Sequence, residues 1–135
     1  MSGPVAEGPA RRAAAAPTAM TLDVDALDRL RELDPAGKGR LLERVLRAFE
    51  TSAARLSLQF REARRKDDVA GIRHVAHTLK SSSASIGAIA LSQLCGELEV
   101  KIRNDAAADV EPGIAAMTAA LDLALQAIER QLAQT

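Results

Sequence analysis

Aromatic residues are almost absent from this chain of 135 residues, which contains two phenylalanines, no tryptophan and no tyrosine. Clusters of valine, isoleucine, threonine and aromatic residues, which favour strands, are also missing. Alanine and leucine, both strong helix formers, are abundant instead. We therefore expect an all-α protein.

Other scarcities exclude whole classes of function. The single cysteine, Cys95, excludes an internal disulfide and suits a reducing compartment, so we expect a cytoplasmic protein in which Cys95 is a small core residue. No apolar run approaches the roughly 20 residues that cross a bilayer. The 18 basic and 18 acidic residues balance, which leaves no electrostatic surface for nucleic acid or a membrane. A glycine-rich phosphate loop is missing too, so the chain has no nucleotide-binding signature of a kinase.

The first 20 residues differ in composition from the rest. They contain three of the five prolines, together with glycine, alanine and serine, and they show no helical period. This composition predicts a disordered tail over residues 1–20. Met20 directly precedes the first segment with a helical pattern and is therefore an alternative start of the protein. Residues 21–135 are enough for one domain.

Five segments of that domain carry apolar residues at helical spacing. They predict helices over residues 23–33, 38–66, 68–86, 88–104 and 110–132, with Asp67 or Asp68 as the cap of the third. Gly37 and Gly87 lie at two of the breaks between them. Because the connections are short, we expect an antiparallel up-down four-helix bundle with a short extra helix at its N-terminal end. A single bundle with a balanced surface predicts a monomer.

One histidine lies on the water-facing side of the third predicted helix. At about 100° per residue, His77 falls roughly 130° from the middle of the apolar stripe formed by Val69, Ile72, Ala76, Leu79, Ser83 and Ile86. Lys80 and Ser81 follow one turn later on the same strip. An ordinary solvated helix face is the simplest interpretation of such a strip. However, the serines that follow Lys80 are poorer helix formers than the charged residues a solvated face favours, and they leave the imidazole open to another protein.

His74 lies one turn before His77 and also points outward. Two histidines at this spacing are the beginning of a metal site, but no third ligand follows at a suitable distance in the sequence. We therefore interpret His74 as a solvated neighbour and expect no metal or other cofactor on this chain.

The string His77-Thr78-Leu79-Lys80-Ser81-Ser82-Ser83, followed by Gly87-Ala88, closely resembles the core motif of histidine phosphotransfer (Hpt) domains. The continuation from Leu91 to Glu99 resembles the following helix of that family. The resemblance covers about residues 22–133, and its specific part is 76–99. It implies a phosphocarrier rather than an enzyme, and the length of 135 residues predicts that this carrier is free-standing. His77 would accept a phosphoryl group on its outer ring nitrogen from the aspartyl phosphate of a receiver domain and pass it to a second receiver.

The resemblance also implies roles for the residues around His77. Lys80 would supply positive charge to the phosphoryl group, and any magnesium would belong to the partner receiver. Ser81 stands where the family usually has glycine; it is small enough to be tolerated and able to donate a hydrogen bond to the phosphoryl group. The alternative function is an interaction module of the same fold that binds a receiver or a sensor kinase without phosphate chemistry.

Two acidic residues compete for the position opposite His77. If the third and fourth helices mirror each other about Gly87, Glu97 and Glu99 both lie near its level, on opposite flanks of the apolar stripe. The family frequently has Glu or Gln at the second position, which favours Glu99 as the residue that orients the imidazole. Gly96 costs helix stability and marks either a close helix approach or clearance near the histidine.

Overall fold

The structure is a computed structural model that describes residues 22–105 and 107–134. These residues form five α-helices and no strand, which confirms the all-α prediction for this part of the chain. The helices are α1 (Val24–Glu32), α2 (Leu41–Arg65), α3 (Val69–Ser85), α4 (Ile89–Asn104) and α5 (Glu111–Ala133). The predicted tail over residues 1–20 lies outside the described residues. Within the described part, every helix is too short or too polar to span a membrane.

Neighbouring helices in the chain are also neighbours in space. The pair α3 and α4 has the most extensive contact, α2 packs on α3, α4 packs on α5, and α5 returns to contact α2. These four helices form one core of almost purely aliphatic side chains, and the short α1 packs on α2 and contributes Leu27 to that core. The largest fully buried apolar side chains are Leu46, Leu79, Ile86, Leu91, Leu98 and Ile128. The strict up-and-down order of the four helices stays a prediction.

The start of α2 differs from the prediction. Apolar spacing predicts a helix from residue 38, whereas α2 begins at Leu41. The preceding residues form turns because Gly37 and Arg40 have φ values of 70° and 52°. The Asp34 carboxylate holds this loop by accepting hydrogen bonds from the backbone N–H groups of Gly39 and Leu41, each at 3.1 Å. A side chain before the helix thus satisfies an N–H group that the helix itself leaves without a partner.

The cap of α3 is Asp68, one of the two residues that the sequence allowed. Its carboxylate accepts a hydrogen bond from the Gly71 backbone N–H at 3.0 Å. Five of the six residues of the predicted apolar stripe are buried, but Val69 is only partly buried, and Val75 is buried although the stripe omits it. The buried face is wider than predicted because α3 packs against both α2 and α4.

Gly87 connects the end of α3 to both α4 and α1. Its φ of 80° is in the left-handed region, and its carbonyl accepts a hydrogen bond from the Asp23 backbone N–H at 2.8 Å. A Cβ atom at this position would lie only 2.7 Å from that Asp23 nitrogen. Asp23 in turn caps α1 through the Ala26 N–H. A glycine is therefore required here both for the backbone conformation and for the start of α1.

We expect Gly87→Ala to destabilise the protein more than Gly37→Ala. Both glycines have positive φ, but a Cβ at Gly37 would meet no atom within 4 Å. Gly37→Ala should therefore cost only the left-handed conformation of alanine, about 1 kcal/mol, and Gly87→Ala at least about 1 kcal/mol more because of the added clash. Urea unfolding followed by circular dichroism measures both. Equal losses would show that Asp23 does not pack tightly on this turn.

Candidate functional site

His77 lies in the middle of α3, with its side chain 62% exposed and its ring anchored from one side. The Nδ1 atom is 2.7 Å from Oε2 of Glu99 on α4. An ionised carboxylate can only accept hydrogen bonds, so Nδ1 carries a proton and donates it to this contact. In the neutral ring the lone pair then resides on Nε2, the ring nitrogen that Glu99 does not occupy.

Lys80 binds the same carboxylate. Its Nζ donates a hydrogen bond to Oε1 of Glu99 at 2.8 Å, so each carboxylate oxygen has a partner from α3. The Lys80 side chain is 39% exposed, whereas that of Glu99 is 9% exposed. The sequence analysis missed this contact. It placed Lys80 beside His77 on the exposed strip of α3 and did not predict that the lysine side chain reaches across to α4.

The two partners keep Glu99 ionised in spite of its burial. The hydrogen bond from Lys80 is the main cause that lowers the pKa of Glu99 below its ordinary value, and the contact with His77 acts in the same direction. Burial of the carboxyl group opposes them by penalising the charged form. The net lowering means that Glu99 is a carboxylate at neutral pH.

The geometry distinguishes Glu99 from Glu97, a choice that helical spacing left open and in which the family resemblance favoured Glu99. Glu99 is buried against α3, while Glu97 is exposed. The difference follows from the packing of α4, whose Cys95, Leu98 and Ile102 are all buried in the core. Glu99 follows Leu98 directly and therefore lies at the edge of this buried face, next to α3.

Two serines hold the turn of α3 that carries Lys80. Ser92 on α4 donates its hydroxyl to the carbonyl oxygen of Lys80 at 2.9 Å. Ser83, which is fully buried, donates to the carbonyl oxygen of Leu79 at 2.6 Å. The backbone beside Lys80 is thus bonded to its own helix and to α4, which limits movement between the two helices at the site.

The two other predicted residues, Ser81 and His74, make no hydrogen bond to the His77 ring. Ser81 is exposed on the turn after Lys80. His74 is exposed one turn before His77, and together with Arg73 and Glu99 the two histidines line a shallow open pocket. Residues 22–105 and 107–134 contain no group of three or more His, Cys, Asp or Glu side chains that could hold a metal ion.

Cys95 lies beneath the site and is fully buried, as the sequence predicted. Burial raises the pKa of its thiol to about 12, and the negative charge of Glu99 adds to this effect. The thiol therefore stays protonated at neutral pH and packs as a small apolar group.

Comparison with known proteins identified one family. A family model described as Hpt domain matches residues 44–131, about two thirds of the chain, and this range includes His77, Lys80 and Glu99. Searches of curated proteins and of solved structures found no match to the chain.

The lowered pKa of Glu99 predicts how this group affects stability at different pH values. A carboxyl group with a lower pKa in the folded state contributes stability above its unfolded-state pKa and loses it as pH falls through the folded-state value. We therefore expect the difference in unfolding free energy between the wild type and Glu99→Gln to be constant above the ordinary value of 4.5 and to shrink below it. Denaturant unfolding at a series of pH values measures it. A difference that is the same throughout the acid range would contradict the paired, ionised Glu99.

Proposed function

We propose that this chain, which belongs to the Hpt domain family, carries a phosphoryl group on His77 between receiver domains of two-component signalling. Hpt domains have a phosphotransfer role in such systems and are phosphocarriers, not kinases. The observation that carries the proposal is the exposed imidazole of His77 whose Nδ1 is held by the buried Glu99. An exposed nucleophile with a fixed ring is what transfer between two proteins requires.

The transfer step follows from the protonation of the ring. The Nε2 lone pair attacks the phosphorus of the aspartyl phosphate, an N–P bond forms, and the bond from phosphorus to the aspartyl oxygen breaks. The receiver keeps the electron pair as a free aspartate carboxylate. The proton stays on Nδ1, so the ring becomes positively charged, and the Glu99 carboxylate stabilises it. The second receiver reverses the step with its own aspartate.

Lys80 supports the same step from the neighbouring turn. Its ammonium group has three N–H donors, and one is engaged by Oε1 of Glu99. The other two can donate to phosphoryl oxygens and place positive charge beside them. Ser81, exposed one residue later, is small enough to leave room for the group and can donate one further hydrogen bond.

Receiver domains are the proposed partners, and a magnesium ion, if the transfer uses one, would be held by the receiver. Hpt domains interact with receiver domains and kinases in phosphorelays. We further propose a cytoplasmic monomer with α2 to α5 in up-and-down order. The ion pair between Arg64 at the end of α2 and Glu111 at the start of α5 supports antiparallel packing of these two helices.

Transfer of label from a phosphorylated receiver tests the proposal. We expect the wild type to acquire acid-labile label, the signature of phosphohistidine, and His77→Gln to acquire none while its helicity is unchanged. His74→Gln is the matched control, because His74 lies on the same exposed face one turn away, and it should be labelled as the wild type is.

Two other outcomes would contradict the assignment. Label on His77→Gln would move the phosphorylation site to another residue, with His74 the first to examine. If a folded wild type remained unlabelled with several receivers that bind it, the chain would act as a binding module without phosphate chemistry.

Removal of Lys80 should slow transfer and leave the fold intact. We expect Lys80→Ala to lower the transfer rate on the order of 10- to 100-fold, less than for a donor in an enclosed site because this one is open to water. The helicity should be unchanged, while the free energy of unfolding should fall by roughly 1–3 kcal/mol, because the buried Glu99 carboxylate loses one of its two partners. Lys101→Ala, which removes an exposed lysine of α4, is the control and should transfer at the wild-type rate. Equal rates for both variants would exclude the proposed role of Lys80.

A further inference from the structure

Gly96 is a glycine in the interior of α4, where it is less favourable than alanine by about 1 kcal/mol. A Cβ atom at this position would meet one atom outside its own helix within 4 Å, the Cδ of Lys80 at 3.3 Å. The other glycines within helices differ. A Cβ at Gly71 would meet Ala63 and Asp68, and one at Gly113 would meet Leu98. Gly96 therefore leaves space for the Lys80 side chain and does not mark a close approach of two helix backbones.

The Lys80 side chain crosses α4 over three successive positions on one face of that helix. Ser92 binds the Lys80 carbonyl oxygen, Gly96 lies under the aliphatic stem, and Glu99 binds the ammonium group. Positions 92, 96 and 99 are separated by four and three residues, the spacing of one helix face. The backbone, stem and charge of Lys80 thus each have a defined place on α4.

We propose that Gly96 is a positioning residue for phosphotransfer, because the space above it lets the Lys80 stem cross α4 and bring the ammonium group to Glu99. The functional part of this inference rests on the proposed role of Lys80 in transfer. The structural part, that a side chain at position 96 separates Lys80 from Glu99, does not depend on that role.

The size of the side chain at position 96 should determine how far the Lys80 stem is displaced. A contact of 3.3 Å is tighter than ordinary van der Waals packing, so an alanine at position 96 requires the Lys80 stem to shift by a few tenths of an ångström. A β-branched valine requires a larger displacement of the stem. Both residues are also better helix formers than glycine, so a gain in helix propensity accompanies the loss of the Lys80 position.

The first experiment measures the pKa of Glu99 directly. Carboxyl carbon NMR titrations of the wild type, Gly96→Ala, Gly96→Val and Lys80→Ala should show the pKa of Glu99 rising in that order, since the bond from Lys80 is the main cause of its lowering. Gly113→Ala is the control, because it crowds Leu98 and not Lys80, and the pKa of Glu99 should be unchanged in it. If Gly96→Val does not fold, the change in the pKa of Glu99 in Gly96→Ala tests the proposal. A wild-type pKa in the folded Gly96 variants would overturn the proposal.

The second experiment is a double-mutant cycle on the transfer rate. We expect Gly96→Val to slow transfer about tenfold in the wild-type background and to have little further effect in the Lys80→Ala background, because residues that act through one contact are not additive. Equal slowing in both backgrounds would overturn the role through Lys80.

The two readouts separate the two proposals. If the wild type does not transfer phosphate but the pKa of Glu99 still rises in Gly96→Val, the proposed function is wrong and the effect of Gly96 on Lys80 stands. If transfer occurs and the pKa of Glu99 does not respond, the proposed function stands and the role of Gly96 is wrong.

Discussion

The Glu99 carboxylate, buried between α3 and α4, is the interaction on which the candidate site depends. A buried charge is unfavourable unless it is paired and hydrogen-bonded, and Glu99 meets this condition through His77 on one oxygen and Lys80 on the other. The same two contacts orient the imidazole, define which ring nitrogen is free and hold the ammonium group within reach of it. One carboxylate thus organises the nucleophile and the positive charge beside it.

The rest of the fold holds α3 and α4, the two helices on either side of this carboxylate, in a fixed position relative to each other. The core between them is aliphatic, and the turn at Gly87 is bonded to Asp23 at the start of α1. Ser92 on α4 adds a hydrogen bond across the interface to the carbonyl oxygen of Lys80. The Glu99 carboxylate holds the Nδ1 side of the His77 ring, while 62% of the side chain stays exposed and open to a partner.

Much of the fold was predictable because helical periodicity is a local property of the chain. The five helices, the break at Gly87 and the burial of Ile72, Ala76 and Leu79 follow from spacing and residue type alone. The predicted start of α2 was wrong by three residues. The hydrogen bond from the Leu41 N–H to the Asp34 carboxylate and the left-handed conformation of Arg40 determine where the helix begins, and apolar periodicity reports neither. Val75 was missed for a similar reason, since a helix with two neighbours buries a wider face.

The sequence by itself determined that His77 faces outward, that Lys80 lies one turn away and that a carboxylate from the next helix lies near the level of the ring. These follow from the angle per residue and from a hairpin mirrored about Gly87. Only the tertiary structure decided that this carboxylate is Glu99, that Lys80 binds it and that Gly96 gives the lysine its path. The physical reason is that the rotation of α4 about its own axis, which sets the residues that meet α3, is determined by packing of the core and not by local spacing.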